Sequence, residues 1–234
     1  MNFPFEYEHK TFRRSKSIKI GVEKSGKVIV TSPKFIPQFV IKQFIKKNES
    51  WILKAIEKSK LTQKFESETE IYIFGKKYQK EIIYSDKNKS GIFVSGDKLI
   101  FNTLAPKDNL SDSENVSLQK KFKVKTEAFL KNTAGHYIIK RTHEIAKIMK
   151  LNFKNITLKK QKTRWGSCSS QKNLNFNWKL GHFEPPIIDY VIIHELSHLV
   201  HMDHSKKFWN LVGQYDQSYL NHRGWLKRNG LSLD

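Results

Sequence analysis

Residues 187–204 read IIDYVIIHELSHLVHMDH, and this stretch contains the most informative pattern in the chain. His194, Glu195 and His198 have the H-E-x-x-H spacing, which on an α-helix puts the two imidazoles on one face, about 6 Å apart along the axis. Glu195 would lie beside that face, where a carboxylate can take a proton from a metal-activated water. The apolar residues 187–193 can bury the first turns of the helix. The stretch therefore predicts the active-site helix of a metal-dependent hydrolase.

The third metal ligand has two candidates, His201 and His204. On a continuous helix His201 would follow His194 on the same stripe, about 10 Å further along, and three imidazoles in a line do not suit a tetrahedral site. His204 can approach from another direction if the helix stops at residues 201–203, and its six-residue step from His198 matches the metzincin spacing. Metzincins place Gly at this turn, so the turn here is expected to differ in detail or to contain a left-handed residue. The spacing favours His204, and three neutral imidazoles favour Zn²⁺ as the cofactor.

The chain has a single cysteine, Cys168, and is long enough to bury a substantial core. Its 234 residues can form one or two domains. One cysteine excludes an intrachain disulfide framework and suits a reducing cytosol. The amino terminus has no basic region followed by an apolar run, and no stretch reaches the roughly 18 apolar residues of a membrane span. We therefore expect a soluble cytoplasmic protein that has no membrane partner.

The net charge is strongly positive, because 43 Lys and Arg stand against 22 Asp and Glu and give +21. A charge of this size makes polyanions plausible partners. The lysines are nevertheless distributed over nearly every predicted element and form no recognisable DNA-reading motif. Nucleic-acid contact through the basic surface is therefore a secondary hypothesis, and solvated surface charge is the simpler explanation.

The first half of the sequence predicts a β-rich region with one helix. Its predicted elements are a hairpin of Ser17–Val22 with Lys27–Thr31, a helix at Gln38–Ser59, and strand pairs within Glu70–Ser85 and Gly91–Asn102. The stretch Ala105–Glu114 is rich in Asp, Ser and Asn and is the best linker candidate. We therefore place a boundary there, between a β-rich N-terminal region at 1–110 and a second region at 111–234.

The second region predicts helices around a small antiparallel sheet. The predicted elements are a long backing helix at Val116–Lys150, strands at Ile156–Arg164 and Leu174–Leu180 joined through Gly166–Asn173, the metal-binding helix, and short helices at Ser205–Gln214 and Tyr219–Arg228. His136 and His143 lie on the long helix and are expected to be surface or core residues. The whole pattern predicts an α+β fold.

Five motifs in order resemble the YgjP-like metallopeptidases. They are Arg164-Trp165-Gly166-Ser167-Cys168, Asn177-Trp178, Asp189-Tyr190-Val191, His194-Glu195-Leu196-Ser197-His198 and His204-Ser205-Lys206-Lys207-Phe208-Trp209. The resemblance also extends to the amino-terminal half, through Arg13-Arg14-Ser15-Lys16, Ser32-Pro33 and Trp51-Ile52. The family is described as predicted metal-dependent hydrolases of the zincin class, related to the SprT and WLM groups. It implies a zincin-like metallopeptidase region at 111–234, with His194, His198 and His204 as metal ligands and Glu195 as the catalytic residue, but no particular substrate.

The residues around these motifs suggest further roles. In zincins the strand before the metal helix commonly borders the cleft and can pair with an extended peptide, and Gly166 would permit a tight turn there. Arg164 is expected to brace the following loop, and Cys168 to pack as a small apolar residue rather than act as a reactive thiol. A second oxyanion donor is usually required. The candidates are Tyr190, Tyr215, Tyr219, His222 and Arg223, which the sequence does not rank.

Two classes of function remain open from the sequence. The first is hydrolysis of peptide bonds by a zinc metallopeptidase with Glu195 as general base and a protein or peptide as substrate. The second is a nucleic-acid-associated zinc-binding module, in which the metal is structural. A hybrid, by analogy with SprT relatives, is a protease that acts on DNA-bound proteins. The presence of Glu195 beside the first ligand favours the enzyme, because a structural site has no use for it.

Overall fold

A computed structural model describes most of the chain as two compact units, Met1–Ser67 and Glu68–Asp234. The described residues are 3–13, 15–23, 25–85, 90–104, 110–161 and 164–229, with the side chains of residues 58 and 60–64 left out. Strands and helices are mixed in both units, so the predicted α+β class is confirmed. Within the described ranges, no helix combines the length and the apolar character that crossing a membrane requires.

The first unit contains a three-stranded sheet and two helices. The elements are β1 (Tyr7–Thr11), β2 (Lys19–Val22), β3 (Val28–Ser32), α1 (Gln38–Lys47) and α2 (Glu49–Phe65). The strand order is β1-β3-β2, with β1 parallel and β2 antiparallel to β3. This confirms the predicted hairpin, which turns at Gly26 with φ of 86°. The two alternating buried valines of β3, Val28 and Val30, pack on Ile41, Ile45 and Ile52 of the helices.

The single helix predicted at Gln38–Ser59 is wrong in two respects, because it runs on to Phe65 and is broken at Asn48. This residue has φ −105° and ψ 8°, outside the helical region. Its side-chain amide donates to the carbonyl of Phe44 at 2.8 Å. Asn side chains compete with the backbone for such acceptors, which is why the apolar period alone did not reveal the break.

The second unit begins with a four-stranded sheet of order β4-β5-β7-β6. Its strands are β4 (Glu70–Ile73), β5 (Lys76–Tyr84), β6 (Gly91–Ser95) and β7 (Lys98–Thr103). Both predicted strand pairs are confirmed as antiparallel hairpins, and β5 runs parallel to β7. The first hairpin turns tightly through Phe74 and Gly75, whose φ values are 51° and 79°.

The long backing helix is α3 (Asp112–Met149), of 38 residues. It begins one turn earlier than predicted, because Ser111 forms a capping box: the Ser111 hydroxyl accepts from the Glu114 amide, and the Glu114 carboxylate accepts from the Ser111 amide. The predicted linker Ala105–Glu114 therefore overlaps the first helical turn, and its residues 105–109 lie outside the described residues.

The four-stranded sheet packs on α3 and for that reason belongs to the second unit. Ile71, Ile73 and Leu99 form a cluster with Leu130 and Trp178. In a second cluster, the ring of Phe101 on β7 stacks on the ring of Phe122 on α3 and joins the sheet to the helix. The boundary of the compact units thus lies at 67/68, whereas the functional boundary proposed at 110/111 stays a prediction.

The small sheet in front of the metal motif has the order β8-β10-β9. Its strands are β8 (Asn155–Lys159), β9 (Gly166–Cys168) and β10 (Asn173–Asn177). The predicted antiparallel sheet is corrected to a mixed one, since β10 pairs parallel to β8 and antiparallel to β9. The physical reason is that the connection predicted at Gly166–Asn173 itself forms β9. The chain reverses twice between β8 and β10, so these two strands point the same way.

The predicted strand Leu174–Leu180 is wrong at its end, because the Asn177 side chain accepts from the Lys179 amide and caps a 3-10 helix there. The α-helices that follow agree with the sequence predictions. A short 3-10 helix (Trp178–His182) leads to α4 (Pro185–Ser197), which is the predicted metal-binding helix. It is followed by α5 (Lys206–Tyr215) and α6 (Tyr219–Asn229). Ten of the thirteen residues of α4 are buried, as expected for a central helix.

An ion pair joins α4 to α3. Asp189 accepts from Nε of Arg141 at 3.0 Å and from Nη2 at 2.9 Å, in a bidentate arrangement. Glu144 accepts from Nη1 of the same arginine at 2.9 Å. These hydrogen bonds, chiefly those to Asp189, raise the pKa of Arg141. The pair fixes α4 along the backing helix one turn ahead of the metal motif.

Asp189→Asn should lower the free energy of unfolding by about 1–3 kcal/mol. An amide is uncharged and has only one oxygen that can accept from the Arg141 guanidinium. Glu144→Gln is the matched control, since it removes the more exposed half of the arginine's pairing and should cost less than about 0.5 kcal/mol. Urea denaturation of both variants measures the difference. Equal losses would show that the pair does not anchor α4.

Candidate metal centre

The sequence of α4 explains why it forms a buried helix that stops after the motif. Pro185 and Pro186 occupy its first turn, where a missing N–H costs nothing. The last turn ends at Ser197, whose hydroxyl donates to the Ile193 carbonyl at 2.8 Å. The amide of His201 then donates to the Ser197 carbonyl at 3.0 Å, which closes a final turn before the chain reverses.

His194, His198 and His204 lie together. One ring nitrogen from each lies within 4.8 Å of the others. The Nε2 atoms of His194 and His204 are 3.2 Å apart. No residue from 198 to 204 has a positive φ, so the turn that returns His204 differs in detail from a glycine turn.

His201 contributes its backbone rather than its ring. Its ring is outside the cluster of three histidines found among the described residues. Its carbonyl oxygen lies 3.0 Å from Nδ1 of His198. An Nδ1 that donates to this carbonyl makes Nε2 the unprotonated nitrogen of His198, which is how ligating imidazoles are commonly oriented.

Two aromatic residues of α5 pack against the three imidazoles. Phe208 is fully buried, stacks on His198 at 4.5 Å between ring centroids, and meets His194 and His204 edge-on at 4.9 Å. Trp209 stacks on His204 at 5.6 Å. These contacts restrict the rotamers of all three histidines.

Glu195 lies beside the cluster in a nearly closed environment. The residue is 2% exposed, and its Oε2 atom has no hydrogen-bond partner within the described part of the chain. A Cβ placed on Gly166 would come within 2.5 Å of its Oε1 and 2.6 Å of its Cγ. Strand β9 therefore needs glycine at this position so that the carboxylate can lie against the backbone.

The charge state of Glu195 reflects this burial. Loss of solvation raises the pKa of the Glu195 carboxyl to about 8, and the nearby Arg164 guanidinium opposes the rise. A carboxylate with a raised pKa is a stronger proton acceptor than one in water. The arrangement can therefore accept a proton next to three imidazoles.

The family model of the YgjP-like metallopeptidase domain matches residues 16–229. The chain belongs to this family. It is accordingly a metallopeptidase, a metal-dependent hydrolase whose substrates are proteins or peptides.

Two solved structures resemble part of this YgjP-like chain. The metallopeptidase zymogen of Pyrococcus abyssi abylysin is 16% identical with a TM-score of 0.37, and the match covers 41% of this chain and 98% of that chain. The metallopeptidase zymogen of Methanocaldococcus jannaschii jannalysin is 26% identical with a TM-score of 0.36, covering 39% and 94% respectively. A search of curated protein sequences found no match. The assignment rests on the family model.

The motif around Gly166 is braced by Asn177 in this metallopeptidase. The Asn177 side chain is fully buried and its amide donates to the carbonyls of Gln161 and Arg164, at 2.9 and 3.3 Å. Its backbone amide donates to the Trp165 carbonyl at 2.8 Å. Asn177 therefore braces this loop. Arg164, which was expected to do so, has an exposed side chain.

Cys168 is half-buried on β9 and donates weakly to the Ser169 carbonyl at 3.6 Å. Burial, and the neighbouring Glu195 carboxylate to a smaller extent, raise the pKa of its thiol to about 11. A thiol with such a pKa stays protonated at neutral pH and is a poor nucleophile. The structure therefore agrees with the expectation that Cys168 packs as a small residue.

Sequence reasoning missed the roles of Phe208 and Trp209, which it named only as part of the motif at residues 204–209. Trp209 in turn has two neighbours from α6: Tyr219 stacks on it at 5.6 Å, and the Arg223 guanidinium lies 4.4 Å from its ring centroid. Two of the candidate oxyanion donors therefore also help to hold Trp209 in place. The signal available in the sequence was that Phe208 and Trp209 follow His204 by four and five residues.

A second missed feature is the pair formed by His222 and Asp216. Nδ1 of His222 lies 2.8 Å from Oδ2 of Asp216. The His222 ring lies 6.1 Å from that of the buried Tyr190, which is itself 6.1 Å from the ring of His194. Asp216 thus fixes an imidazole close to, but outside, the histidine cluster.

Gly166→Ala should lower the free energy of unfolding by about 1–3 kcal/mol, because its methyl group overlaps the Glu195 side chain. Glu195→Ala removes the overlapping atoms. In the Glu195→Ala background, adding Gly166→Ala should therefore cost much less than it does in the wild type. Gly91→Ala is the control, since a Cβ there meets nothing within 4 Å. Additive losses in the double-mutant cycle would rule out this contact as the reason for glycine.

Glu195→Gln should change the pH dependence of stability in the metal-free protein. A carboxyl whose pKa is raised on folding from 4.5 to about 8 contributes stability that is fully present below pH 4.5 and is lost as the pH rises through about 8. The variant should therefore become more stable than the wild type by more than about 1 kcal/mol near pH 8. Urea denaturation at several pH values in the presence of a chelator measures this, with the exposed Glu68→Gln as control. Parallel pH profiles would contradict the burial of a carboxylate.

Proposed function

We propose that this chain is a zinc peptidase in which His194, His198 and His204 hold the metal and Glu195 acts as general base. The observation that carries the proposal is the convergence of three ring nitrogens beside a buried carboxylate. In such a site a bound Zn²⁺ supplies a Lewis acid and lowers the pKa of a coordinated water towards about 7.

The donor set fits zinc. A tetrahedral site with Zn–N distances near 2.0–2.1 Å has nitrogens about 3.3 Å apart. The 3.2 Å between the Nε2 atoms of His194 and His204 is close to that spacing. Three neutral imidazoles without a carboxylate favour zinc over iron or manganese. The His201 carbonyl and the Phe208 ring would keep His198 in its ligating orientation.

Glu195 would move the proton in both halves of the reaction. Its carboxylate takes a proton from the attacking water and later gives it to the leaving nitrogen of the peptide. Burial makes the group a stronger base, and the lack of a hydrogen-bond partner at Oε2 leaves that oxygen ready to accept. The packing of Glu195 on Gly166 sets the direction of its carboxylate.

The substrate would bind along β9. This strand lies at the edge of its sheet and contains Gly166, so an extended peptide paired with it would pass the Glu195 carboxylate. Backbone pairing of this kind recognises a peptide without demanding a particular sequence. A protein or peptide is therefore the proposed substrate.

The alternatives have less support. A structural zinc site is usually closed by four protein ligands. The cluster found in the described ranges offers three. No observation on these residues favours a nucleic-acid-associated module or a protease directed to DNA-bound proteins, and the +21 charge has no assigned partner. Cytoplasmic localisation stays a prediction based on the single cysteine.

Hydrolysis of an unstructured protein substrate such as casein tests the proposal. The zinc-supplemented protein should cleave it, chelation should abolish cleavage, and added zinc should restore it. Glu195→Gln should reduce the rate at least about 100-fold, because it removes the general base. Glu68→Gln should retain full activity.

Equal rates for Glu195→Gln and the wild type would exclude Glu195 as the base. Cleavage that survives chelation would exclude the metal. Product analysis by mass spectrometry ensures that the peptides arise from hydrolysis of backbone bonds.

A further inference from the structure

Arg164 is a cation at the edge of the candidate metal centre that the proposed mechanism does not use. Its side chain is exposed. Among the described residues, no carboxylate forms an ion pair with its guanidinium. Its charge nevertheless acts on Glu195, because it opposes the rise in pKa that burial causes in that carboxyl. The site therefore presents an exposed guanidinium close to the proposed general base.

Arginine is scarce in this chain, since it supplies six of the 43 Lys and Arg residues. Two of the other arginines have contacts that use the planar guanidinium. Arg141 donates to Asp189 through two nitrogens, and Arg223 lies over the Trp209 ring at 4.4 Å from its centroid. A lysine ammonium cannot form the bidentate fork. In a chain that mostly uses lysine for solvated charge, an arginine at 164 favours a planar anion as its partner.

The backbone places Arg164 on the face of the small sheet that meets Glu195. The Asn177 amide donates to the Trp165 carbonyl at 2.8 Å, which continues the pairing of β10 with β9 by one residue before Gly166. Alternate residues of a strand face the same side. Arg164 therefore shares a face with Gly166, whose Cβ position lies against the Glu195 side chain. Trp165, between them, is buried.

The backbone at Arg164 is held before any ligand binds. The side-chain amide of the buried Asn177 donates to the Arg164 carbonyl at 3.3 Å and to the Gln161 carbonyl at 2.9 Å. The base of the arginine is thus fixed, while its guanidinium stays in solvent. A cation on a fixed backbone requires less ordering when it binds an anion.

A peptide paired with the edge strand β9 would bring one of its own residues opposite Arg164. Directly opposed residues on neighbouring strands have Cβ atoms about 4.5–5.5 Å apart. The peptide residue opposite Gly166 passes the Glu195 carboxylate, and the residue opposite Arg164 lies two positions further along on the same face. A carboxylate at that point is within reach of the guanidinium.

From these observations we propose that Arg164 binds a carboxylate of the peptide substrate, two residues from the one that passes Gly166. The carboxylate belongs either to an aspartate or glutamate side chain or to the C-terminus of the peptide, because both present the same planar anion. This inference rests on the proposed peptidase function, since it takes the peptide to pair with β9 beside the histidine cluster. It makes Arg164 a specificity-determining residue.

Binding of peptides to zinc-loaded Glu195→Gln protein tests this role without turnover. In a randomised library with both ends capped, aspartate or glutamate should be enriched over asparagine and glutamine at one position, by about tenfold or more. A second arm compares neutral peptides that end in a free carboxylate with the same peptides that end in an amide. A preference in the first arm identifies an acidic side chain as the ligand, and a preference in the second identifies the C-terminus.

Variants of the same protein assign the preference to the guanidinium. Arg164→Gln should abolish the preference and leave the binding of neutral, capped peptides unchanged. Arg164→Lys should retain only part of it, because lysine keeps the charge and loses the fork. Lys159→Gln is the matched control, since it removes one exposed positive charge from β8, at the opposite edge of the same sheet. It should leave the preference intact. Circular dichroism and thermal unfolding establish that the variants fold.

No acidic preference in either arm would overturn the role of Arg164, as would the same preference in Arg164→Gln. An equal loss in Lys159→Gln would show a general effect of charge and would also overturn it. Weaker binding of neutral, capped peptides to Arg164→Gln would show a structural role instead.

Hydrolysis of the selected peptides by the wild-type protein separates the two proposals. Peptides that bind with the acidic preference and are not cleaved would contradict the peptidase function while the role of Arg164 in binding stands. Cleavage that is indifferent to acidic residues and to the free C-terminus would leave the peptidase function and overturn the role of Arg164.

Discussion

The contact between the Glu195 carboxylate and the backbone of Gly166 is the constraint around which the metal centre is organised. It brings α4 against the edge strand β9, so that a buried acid lies beside both the histidines and the strand proposed to bind substrate. Any side chain at Gly166 would separate these elements. The contact also explains why the carboxylate is desolvated, since backbone and core replace water around it.

The histidines depend on a second set of constraints that lies outside the motif. His198 is oriented by the carbonyl of His201, and Phe208 touches all three rings. The chain reversal after α4 thus has two effects. It returns His204 to the cluster, and it supplies the carbonyl acceptor that orients His198. Orientation by such partners commonly changes metal affinity by a factor of about 10–100.

The sequence predicted the features that depend on local periodicity. The H-E-x-x-H helix, the long backing helix and the hairpins follow from apolar spacing and turn residues, and they lie where expected. The break at Asn48 and the strand β9 were missed, because a side-chain hydrogen bond and three residues of pairing leave almost no periodic signal. The closeness of Gly166 to Glu195, and of Phe208 to the histidines, depends on contacts between distant segments, which spacing alone does not encode.

Bound-zinc stoichiometry in purified protein tests the central claim most directly, when the wild type is compared with folded His201→Ala and His204→Ala variants. The account predicts about one zinc per chain in the wild type and in His201→Ala, whose backbone carbonyl is retained, and a loss of zinc in His204→Ala. Zinc retained in His204→Ala and lost in His201→Ala would contradict the assigned ligands. A wild-type protein that binds no metal when zinc is supplied would contradict the metal centre itself.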